Sequence, residues 1–279
     1  MGSVLIADSG STKTQWCFIS GGKKKMFSTQ GISPYFLDAG SLDKILREEL
    51  APKMTGKPDQ VFYYGTGCSN PANISLVKKG LKKIFPGAEV SVEHDLAGAA
   101  KALCGDEKGI ACILGTGSNS CYYNGKKVVK NSPGLGFILG DEGSGAYLGR
   151  KVLQHYLYGT FDADLTDKFT QKYPHSASEF LDKVYKEPFP NRYLSRFTDF
   201  LSENRGHYMT ENIIADSFNE FFFTHLYKYR ETWTLPIHFT GSVAYGFRDV
   251  LAEMCSDYEL ILGKVLKEPM AGLIKYHGQ

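Results

Sequence analysis

The sequence predicts an α/β protein built from two similar halves. Two short segments carry the same pattern, an apolar strand that ends in a loop of Gly, Ser and Thr. Residues 4–7 lead into Asp8-Ser9-Gly10-Ser11-Thr12, and residues 111–114 lead into Gly115-Thr116-Gly117-Ser118-Asn119. In both halves two further β-prone runs follow, separated by a glycine turn. A pattern of strands and helices that restarts at mid-chain predicts one layered α/β unit in each half.

The first half alternates strands and helices in the order βββαβαβα. Gly21 and Gly22 separate two β-prone runs, which indicates a hairpin. Ser41 is the expected N-cap of the first helix, because its hydroxyl can accept a backbone N–H. The expected strands are residues 4–7, 15–20, 24–29, 61–64 and 89–93, and the expected helices are 41–50, 71–85 and 97–103.

The second half repeats this order and adds a run of helices. The boundaries predict a first domain at 1–107 and a second at 108–279, with the last helix able to pack back on the first domain. Aromatic residues at helical spacing between 218 and 229 favour core packing. The expected strands are 110–114, 119–124, 126–130, 237–240 and 258–262, and the expected helices are 143–158, 178–186, 191–202, 210–229, one from 243, and 269–276.

The composition excludes several classes of function. The chain has 279 residues, which suits two domains of about 100–200 residues each. Its 32 Lys and Arg nearly balance 30 Asp and Glu, so no nucleic-acid surface is expected. No stretch approaches the roughly 18 apolar residues of a membrane span. Six cysteines without C-x-x-C spacing suggest buried, reduced thiols, so we expect a cytoplasmic protein without disulfides or zinc.

The two Gly/Ser/Thr loops are candidates for gripping phosphate. Such loops bring backbone N–H groups and hydroxyls against phosphate oxygens, because no bulky side chain intervenes. The Walker pattern fails because Lys13 follows Thr12 without the earlier glycine, and the Rossmann glycine spacing also fails. What remains is D-x-G-x-T-K-T in the first half, G-T-G-S-N in the second, and Thr240-Gly241-Ser242 after a late strand. Each motif alone could be an ordinary glycine turn.

Together and in this order, the motifs resemble those of the N-acetylglucosamine kinase and BadF-type ATPase family, within the actin, hexokinase and Hsp70 ATPase superfamily. The resemblance spans the whole chain. It implies two duplicated ribonuclease H-like domains flanking a nucleotide cleft, with ATP and Mg²⁺ as cofactors. Asp8 would hold Mg²⁺ through water, since Mg²⁺ keeps several waters in proteins. The ATP-binding residues would be Gly10, Ser11, Thr12 and Lys13 in phosphate loop 1, Gly115, Thr116, Gly117 and Ser118 in phosphate loop 2, and Gly241 and Ser242 in the adenosine loop.

The resemblance also implies a catalytic base and a sugar site. Asp95 matches the catalytic aspartate of the family and would accept the proton of the attacking sugar hydroxyl. From local sequence alone, Asp95 could also be the N-cap of the following helix, and His94 is expected to be a packing or supporting residue. Gly134, Leu135, Gly136 and Asp141 match segments that line the sugar site, although a glycine loop before a capped helix would give the same pattern.

One departure from the family concerns the sugar. The family has an asparagine in a G-x-N-P-like segment, whereas this chain has Ser33 in Gly31-Ile32-Ser33-Pro34. A serine offers one hydroxyl where an amide offers both donor and acceptor groups. The departure at Ser33 therefore bears on which sugar is bound and not on the reaction.

The favoured function is an ATP-dependent kinase that phosphorylates N-acetylglucosamine or a related amino sugar, at the 6-hydroxyl. The partner is then a small sugar, and a homodimer is left open. One alternative is a BadF-type ATPase that activates a partner enzyme through an iron–sulfur cluster, for which Cys104 is the one cysteine expected in an exposed loop. The other alternative is a non-catalytic sugar-binding relative, against which Asp8, Asp95 and Asp141 argue.

Overall fold

A computed structural model describes residues 2–10, 12–35 and 37–278, and the chain divides into two units. The first unit comprises Met1–Glu107, Asn124–Val128 and Glu268–Gln279, and the second comprises Lys108–Tyr123 and Val129–Lys267. The final helix therefore belongs with the first unit. No helix among the described residues has the length and apolar character needed to cross a membrane.

The first unit is a five-stranded sheet with helices. Its strands follow the order β3-β2-β1-β4-β5, in which β1, β2 and β3 are antiparallel and β1, β4 and β5 are parallel. A π-helix, Leu46–Leu50, and a 3₁₀ turn, Ala51–Lys53, follow the first helix. The strands are β1 Val4–Ser9, β2 Lys13–Ser20, β3 Lys23–Gln30, β4 Gln60–Gly65 and β5 Glu89–His94, and the helices are α1 Ala39–Ile45, α2 Pro71–Ile84 and α3 Asp95–Cys104.

The second unit has the same strand topology. Its strand order is β10-β9-β6-β7-β8. The central strand β6 has the next two strands of the chain, β7 and β8, on one side. The two late strands, β9 and β10, lie on the other side, as β4 and β5 do beside β1 in the first unit. The predicted duplication is thereby confirmed. The strands are β6 Lys108–Leu114, β7 Ser118–Asn124, β8 Val128–Ser132, β9 Ile237–Thr240 and β10 Leu262–Leu266.

Helices between β8 and β9, and two more between β9 and β10, complete the second unit. Their buried aromatic residues form one core with β6 and β9, which confirms the packing role expected for the aromatic run. The helices are α4 Gly136–Leu139, α5 Gly145–Leu157, α6 Ala163–Lys172, α7 Ala177–Tyr185, α8 Pro190–Ser195, α9 Thr198–Glu203, α10 Tyr208–His225, α11 Ser242–Gly246 and α12 Arg248–Asp257, with 3₁₀ turns at Leu226–Lys228 and Arg230–Trp233; α13, Met270–His277, lies in the first unit.

Several expected element boundaries were wrong, each for a local reason. Asp38, rather than Ser41, caps α1, because its carboxylate accepts the Ser41 N–H at 2.7 Å. Strand β8 starts at Val128, since the N–H groups of Lys126 and Lys127 donate to the Asn124 side chain in a turn.

Three further differences lie in the second half of the chain. The strand expected at 258–262 is displaced to β10, because Tyr258 and Leu260 close the end of α12 through bonds to Met254 and Cys255. The helix expected at 191–202 is two helices, and α6 was not expected.

The cysteines correct another expectation. All six are buried and lie outside any disulfide, including Cys104, which is 6% exposed and had been expected in an exposed loop. It is the last residue of α3, and the turn begins only at Gly105.

Candidate active site

In the first unit, three candidate segments meet at one edge of the sheet. Ser9 at the end of β1 pairs in register with Gly65 of β4, which pairs in turn with His94 of β5. Asp8, Thr66 and Asp95 therefore lie at the carboxyl ends of three adjacent parallel strands. This edge is where open α/β sheets bind ligands.

Phosphate loop 1 is the tight turn between β1 and β2. The Gly10 N–H donates to the Lys13 carbonyl at 3.0 Å, and the buried hydroxyls of Ser9 and Thr14 lie 2.7 Å apart behind the turn. Gly10, Thr12 and Lys13 are exposed, whereas Ser11 lies outside the described residues. Hydrogen bonds on the core side thus hold the loop, and Gly10, Thr12 and Lys13 face outward.

The Asp8 carboxyl lies among other charges. Burial raises its pKa to about 7, the carboxylates of Asp95 and Glu268 act in the same direction, and Lys13 opposes them. A divalent cation would relieve this repulsion. No group of three or more His, Cys, Asp or Glu side chains suited to a metal occurs among the described residues, and Mg²⁺ needs only one or two protein carboxylates because it keeps waters. The donor set therefore fits a water-mediated Mg²⁺ at Asp8.

Asp95 is the first residue of α3 and does not cap it. The cap is His94, whose Nδ1 accepts the Ala97 N–H at 3.2 Å, so His94 supports the helix that begins with Asp95. Asp95 Oδ1 accepts the Leu96 N–H at 2.8 Å. Burial raises the pKa of Asp95, while His94, the Leu96 N–H and the Thr66 hydroxyl counteract the rise. The hydrogen bond from the Leu96 N–H thus holds the Asp95 carboxylate in place.

The segment that carries Ser33 is anchored to the same edge. The Ile32 carbonyl accepts the Ser9 hydroxyl at 3.1 Å and the Tyr63 hydroxyl at 3.3 Å. Ser33 itself is 5% exposed. Gly67 adopts φ +78°, and a Cβ there would lie 3.0 Å from the Tyr35 ring, so this segment packs closely on the loop after β4.

In the second unit, phosphate loop 2 and the adenosine loop touch. Ile113 of β6 pairs with Thr240 of β9, so the two strands end side by side. Gly241 has φ +124°, and a Cβ there would lie 2.2 Å from the Leu114 carbonyl oxygen, so only glycine fits. The Gly115 carbonyl accepts the Gly145 N–H at 2.7 Å, which fixes the loop to the start of α5.

Asp141 lies against phosphate loop 2. Its Oδ1 accepts the Ser118 N–H at 3.3 Å, and a Cβ on Gly117 would lie 3.0 Å from its Oδ2. The backbone of Asp141 is left-handed, with φ 57°, which is uncommon for a residue with a side chain and often occurs at functional positions. Burial raises its pKa to about 6. Asp141 is therefore a rigidly held carboxylate beside the loop.

The glycine segment before Asp141 is open. A Cβ on Gly134 would lie 3.2 Å from the Ser118 carbonyl oxygen, so this glycine also lies on loop 2. Gly136 has φ +76° with no atom within 4 Å of an added Cβ, and Leu135 is 60% exposed. The segment brings accessible backbone and one apolar side chain near Asp141.

Sequence reasoning missed three groups beside these residues. Thr66 lies in Gly65-Thr66-Gly67, which repeats the G-T-G pattern of phosphate loop 2 and could have been found by that signal. Glu268, whose carboxylate lies 3.7 Å from the Lys13 ammonium, has no local sequence signal. Beside Asp141, Glu142 lies 3.0 Å from the buried His225 Nε2, whose ring contacts Ser132 on its other side.

Several solved structures with the same fold are named as sugar kinases. A protein provisionally named N-acetylglucosamine kinase from Porphyromonas gingivalis is 42% identical over 98% of both chains, with a TM-score of 0.94. Another with the same provisional name, from Chromobacterium violaceum, is 16% identical over 99% of both chains, with a TM-score of 0.76. A ROK family glucokinase from Streptomyces griseus, solved with glucose and AMPPNP, is 15% identical over 99% of this chain and 98% of its own, with a TM-score of 0.59.

Comparisons of sequence against family models and against curated proteins gave no match. The relative from Porphyromonas gingivalis nevertheless covers almost the whole chain at an identity that implies common descent. Together with the more distant structures, it also confirms the actin-like ATPase fold expected from the motifs. The chain therefore belongs to the N-acetylglucosamine kinase family, among the sugar kinases of the actin-like ATPase fold.

Proposed function

We propose that the protein is an ATP-dependent kinase that transfers the γ-phosphate to the 6-hydroxyl of N-acetylglucosamine or a related amino sugar. The observation that carries the proposal is the position of Asp95, a desolvated carboxylate at the same sheet edge as phosphate loop 1, in a chain of this family. The ATP analogue bound to the Streptomyces glucokinase supports ATP as the donor.

The ATP-binding residues would be those of the two phosphate loops and the adenosine loop. In the first unit the loop presents Gly10, Thr12 and Lys13 to the phosphates, and Ser11 is assigned to the same role. In the second unit Gly115, Thr116, Gly117 and Ser118 would grip phosphate, and Gly241 and Ser242 would contact the adenosine. Mg²⁺, when held at Asp8 through water, supplies positive charge to the phosphate oxygens.

Asp95 would act as the base. As the sugar hydroxyl oxygen forms its bond to the γ-phosphorus, the bond from that phosphorus to the ADP oxygen breaks, and the hydroxyl proton passes to the Asp95 carboxylate. The raised pKa makes Asp95 a better proton acceptor than a solvated aspartate. The Leu96 N–H and the Thr66 hydroxyl orient the carboxylate for this transfer.

The sugar would be bound by a carboxylate, a glycine-rich segment and a hydroxyl. With a pKa of about 6, Asp141 is ionised at neutral pH and can accept hydrogen bonds from sugar hydroxyls. Gly134, Leu135 and Gly136 would let a flat ring approach the backbone, and Ser33 would give one further hydroxyl. Because Ser33 replaces an amide, its contact with the sugar would be weaker than in relatives that carry asparagine.

A substrate panel tests this proposal. ADP release is measured with N-acetylglucosamine, N-acetylmannosamine, glucosamine and glucose, each with MgATP. We expect kcat/KM to be highest for an amino sugar and to fall for glucose. Equal ADP release with and without any sugar would contradict the proposal.

The cluster-bearing activator is not proposed, because no cysteine of this chain is exposed to share an iron–sulfur cluster. A preparation made without oxygen that carries iron and a visible absorption band would reopen that alternative.

A further inference from the structure

An ion pair joins phosphate loop 1 to a residue far along the chain. Lys13 Nζ lies 3.7 Å from Glu268 Oε1, and both side chains are 52% exposed. Glu268 stands between the end of β10 and the start of α13, at the point where the chain passes from the second unit into the first. The pair therefore lies within the first unit and beside Asp8.

This ion pair contributes little to folding. A half-exposed pair at this distance stabilises a protein by about 0–1 kcal/mol, because water screens the charges. Helix α13 is held instead by buried Met270 and Leu273 and by close backbone contact of Gly272 with α3. The pair is consequently free to exchange partners without loss of the fold.

The surrounding charges favour the exchange of Lys13 from Glu268 to phosphate. The carboxylates of Glu268 and Asp95 raise the pKa of Asp8, and the Lys13 ammonium lowers it. Phosphate oxygens bind an ammonium more strongly than one solvated carboxylate does, since they carry more charge. When Lys13 turns to phosphate, the carboxylates of Asp8 and Glu268 lose the cation that balances them. A divalent cation arriving with the nucleotide would restore the balance.

We propose that Glu268 is a positioning residue that holds Lys13 in the nucleotide-free protein and makes ATP binding depend on a divalent cation. The inference rests on the proposed function only in taking ATP as the ligand of phosphate loop 1. Glu268 would act without contact to the sugar or the reacting atoms. Its effect is exerted through Lys13 and through its charge near Asp8.

Calorimetric titration tests the proposal without sugar and without turnover. ATP is titrated into wild-type protein and Glu268→Gln, once with EDTA and once with excess Mg²⁺. Metal-free ATP should bind the variant about twofold to fivefold more tightly, the size expected for one half-exposed charge. The ratio of the two dissociation constants, without and with Mg²⁺, should fall by a similar factor.

Glu48→Gln is the matched control. It removes the same charge from an exposed position of the first unit that does not act on Asp8, so both affinities should stay at their wild-type values. If Glu268→Gln leaves the Mg²⁺ dependence unchanged, or weakens ATP equally in both conditions, the inference is overturned. Should that variant fail to fold, Glu268→Ala gives the same test. If wild-type protein binds no ATP at all, the proposed function itself fails.

Discussion

At the scale of single residues, Asp95 does not have one of the two roles that its local sequence allows, that of helix N-cap. It stands in the first turn of α3, where a carboxylate is favoured by the helix dipole, yet the cap itself is His94. The Asp95 carboxylate is therefore not needed to cap the N-terminus of α3. This placement leaves Asp95 available for proton transfer.

Asp95→Asn should remove turnover and leave the fold intact. The amide keeps the size and the acceptor oxygen for the Leu96 N–H but cannot take a proton, so kcat should fall by about 10²–10⁴-fold. Steady-state kinetics and calorimetric ATP binding on the same preparation check this. His94→Gln serves as a neighbouring control, for which a much smaller loss is expected. An Asp95→Asn enzyme with undiminished kcat would exclude Asp95 as the base.

Asp141 should make stability depend on pH. Its pKa is about 6 in the folded protein against 3.8 for a solvated aspartate, so the folded state binds the proton more tightly. The free energy of unfolding should therefore decrease as pH rises through the interval from 3.8 to about 6, by up to about 3 kcal/mol from this residue.

Asp141→Asn removes the titration and keeps a residue type that tolerates the left-handed backbone. Urea unfolding of both proteins at about pH 4 and about pH 7 measures the difference, and the variant should gain stability relative to wild type at the higher pH. A difference that does not change with pH would show that Asp141 is not desolvated as described.

The sequence revealed the residues that belong to local motifs and missed those that do not. Asp8, Asp95 and Asp141 each follow a strand or a glycine loop, so their motifs could be recognised. Glu268 reaches Lys13 only because α13 returns to the first unit, and that long-range contact leaves no trace in the local sequence.

At the scale of elements, strands were predicted better than helix ends. Strand β1 and the β2–β3 hairpin have apolar runs and glycine turns that specify them. Predicted helix boundaries were wrong where a side-chain hydrogen bond determines the helix end. Asp38, for example, caps α1 in place of Ser41. The separation of α8 from α9 escaped prediction, because the apolar residues of both helices pack in one core.

Close packing of α13 on α3 gives a prediction at this scale. A Cβ on Gly272 would lie 2.4 Å from the Ala102 carbonyl oxygen, a backbone atom that cannot move aside easily. Gly272→Ala should therefore reduce the free energy of unfolding by about 1–3 kcal/mol. Gly87→Ala, with no atom within 4 Å of the new Cβ, is the matched control and should be nearly neutral. Equal urea midpoints for both variants would contradict this description of the contact.

At the scale of the whole molecule, the two units repeat one arrangement of strands and loops. Both sheets have the same strand order, and both place a Gly/Ser/Thr loop after their central strand. The copies have diverged, since Asp8 and Asp95 stand in the first unit while Asp141 and the adenosine loop stand in the second. The sequence predicted this division of residues because each motif is local to its own half.

Transfer of phosphate to sugar is the central claim, and phosphorus NMR of the reaction with MgATP and N-acetylglucosamine tests it most directly. We predict that the γ-phosphate signal is replaced by one sugar monophosphate ester, coupled to the protons on carbon 6, in an amount equal to the ADP formed. Appearance of inorganic phosphate in place of the ester, at a rate independent of the sugar, would contradict the account.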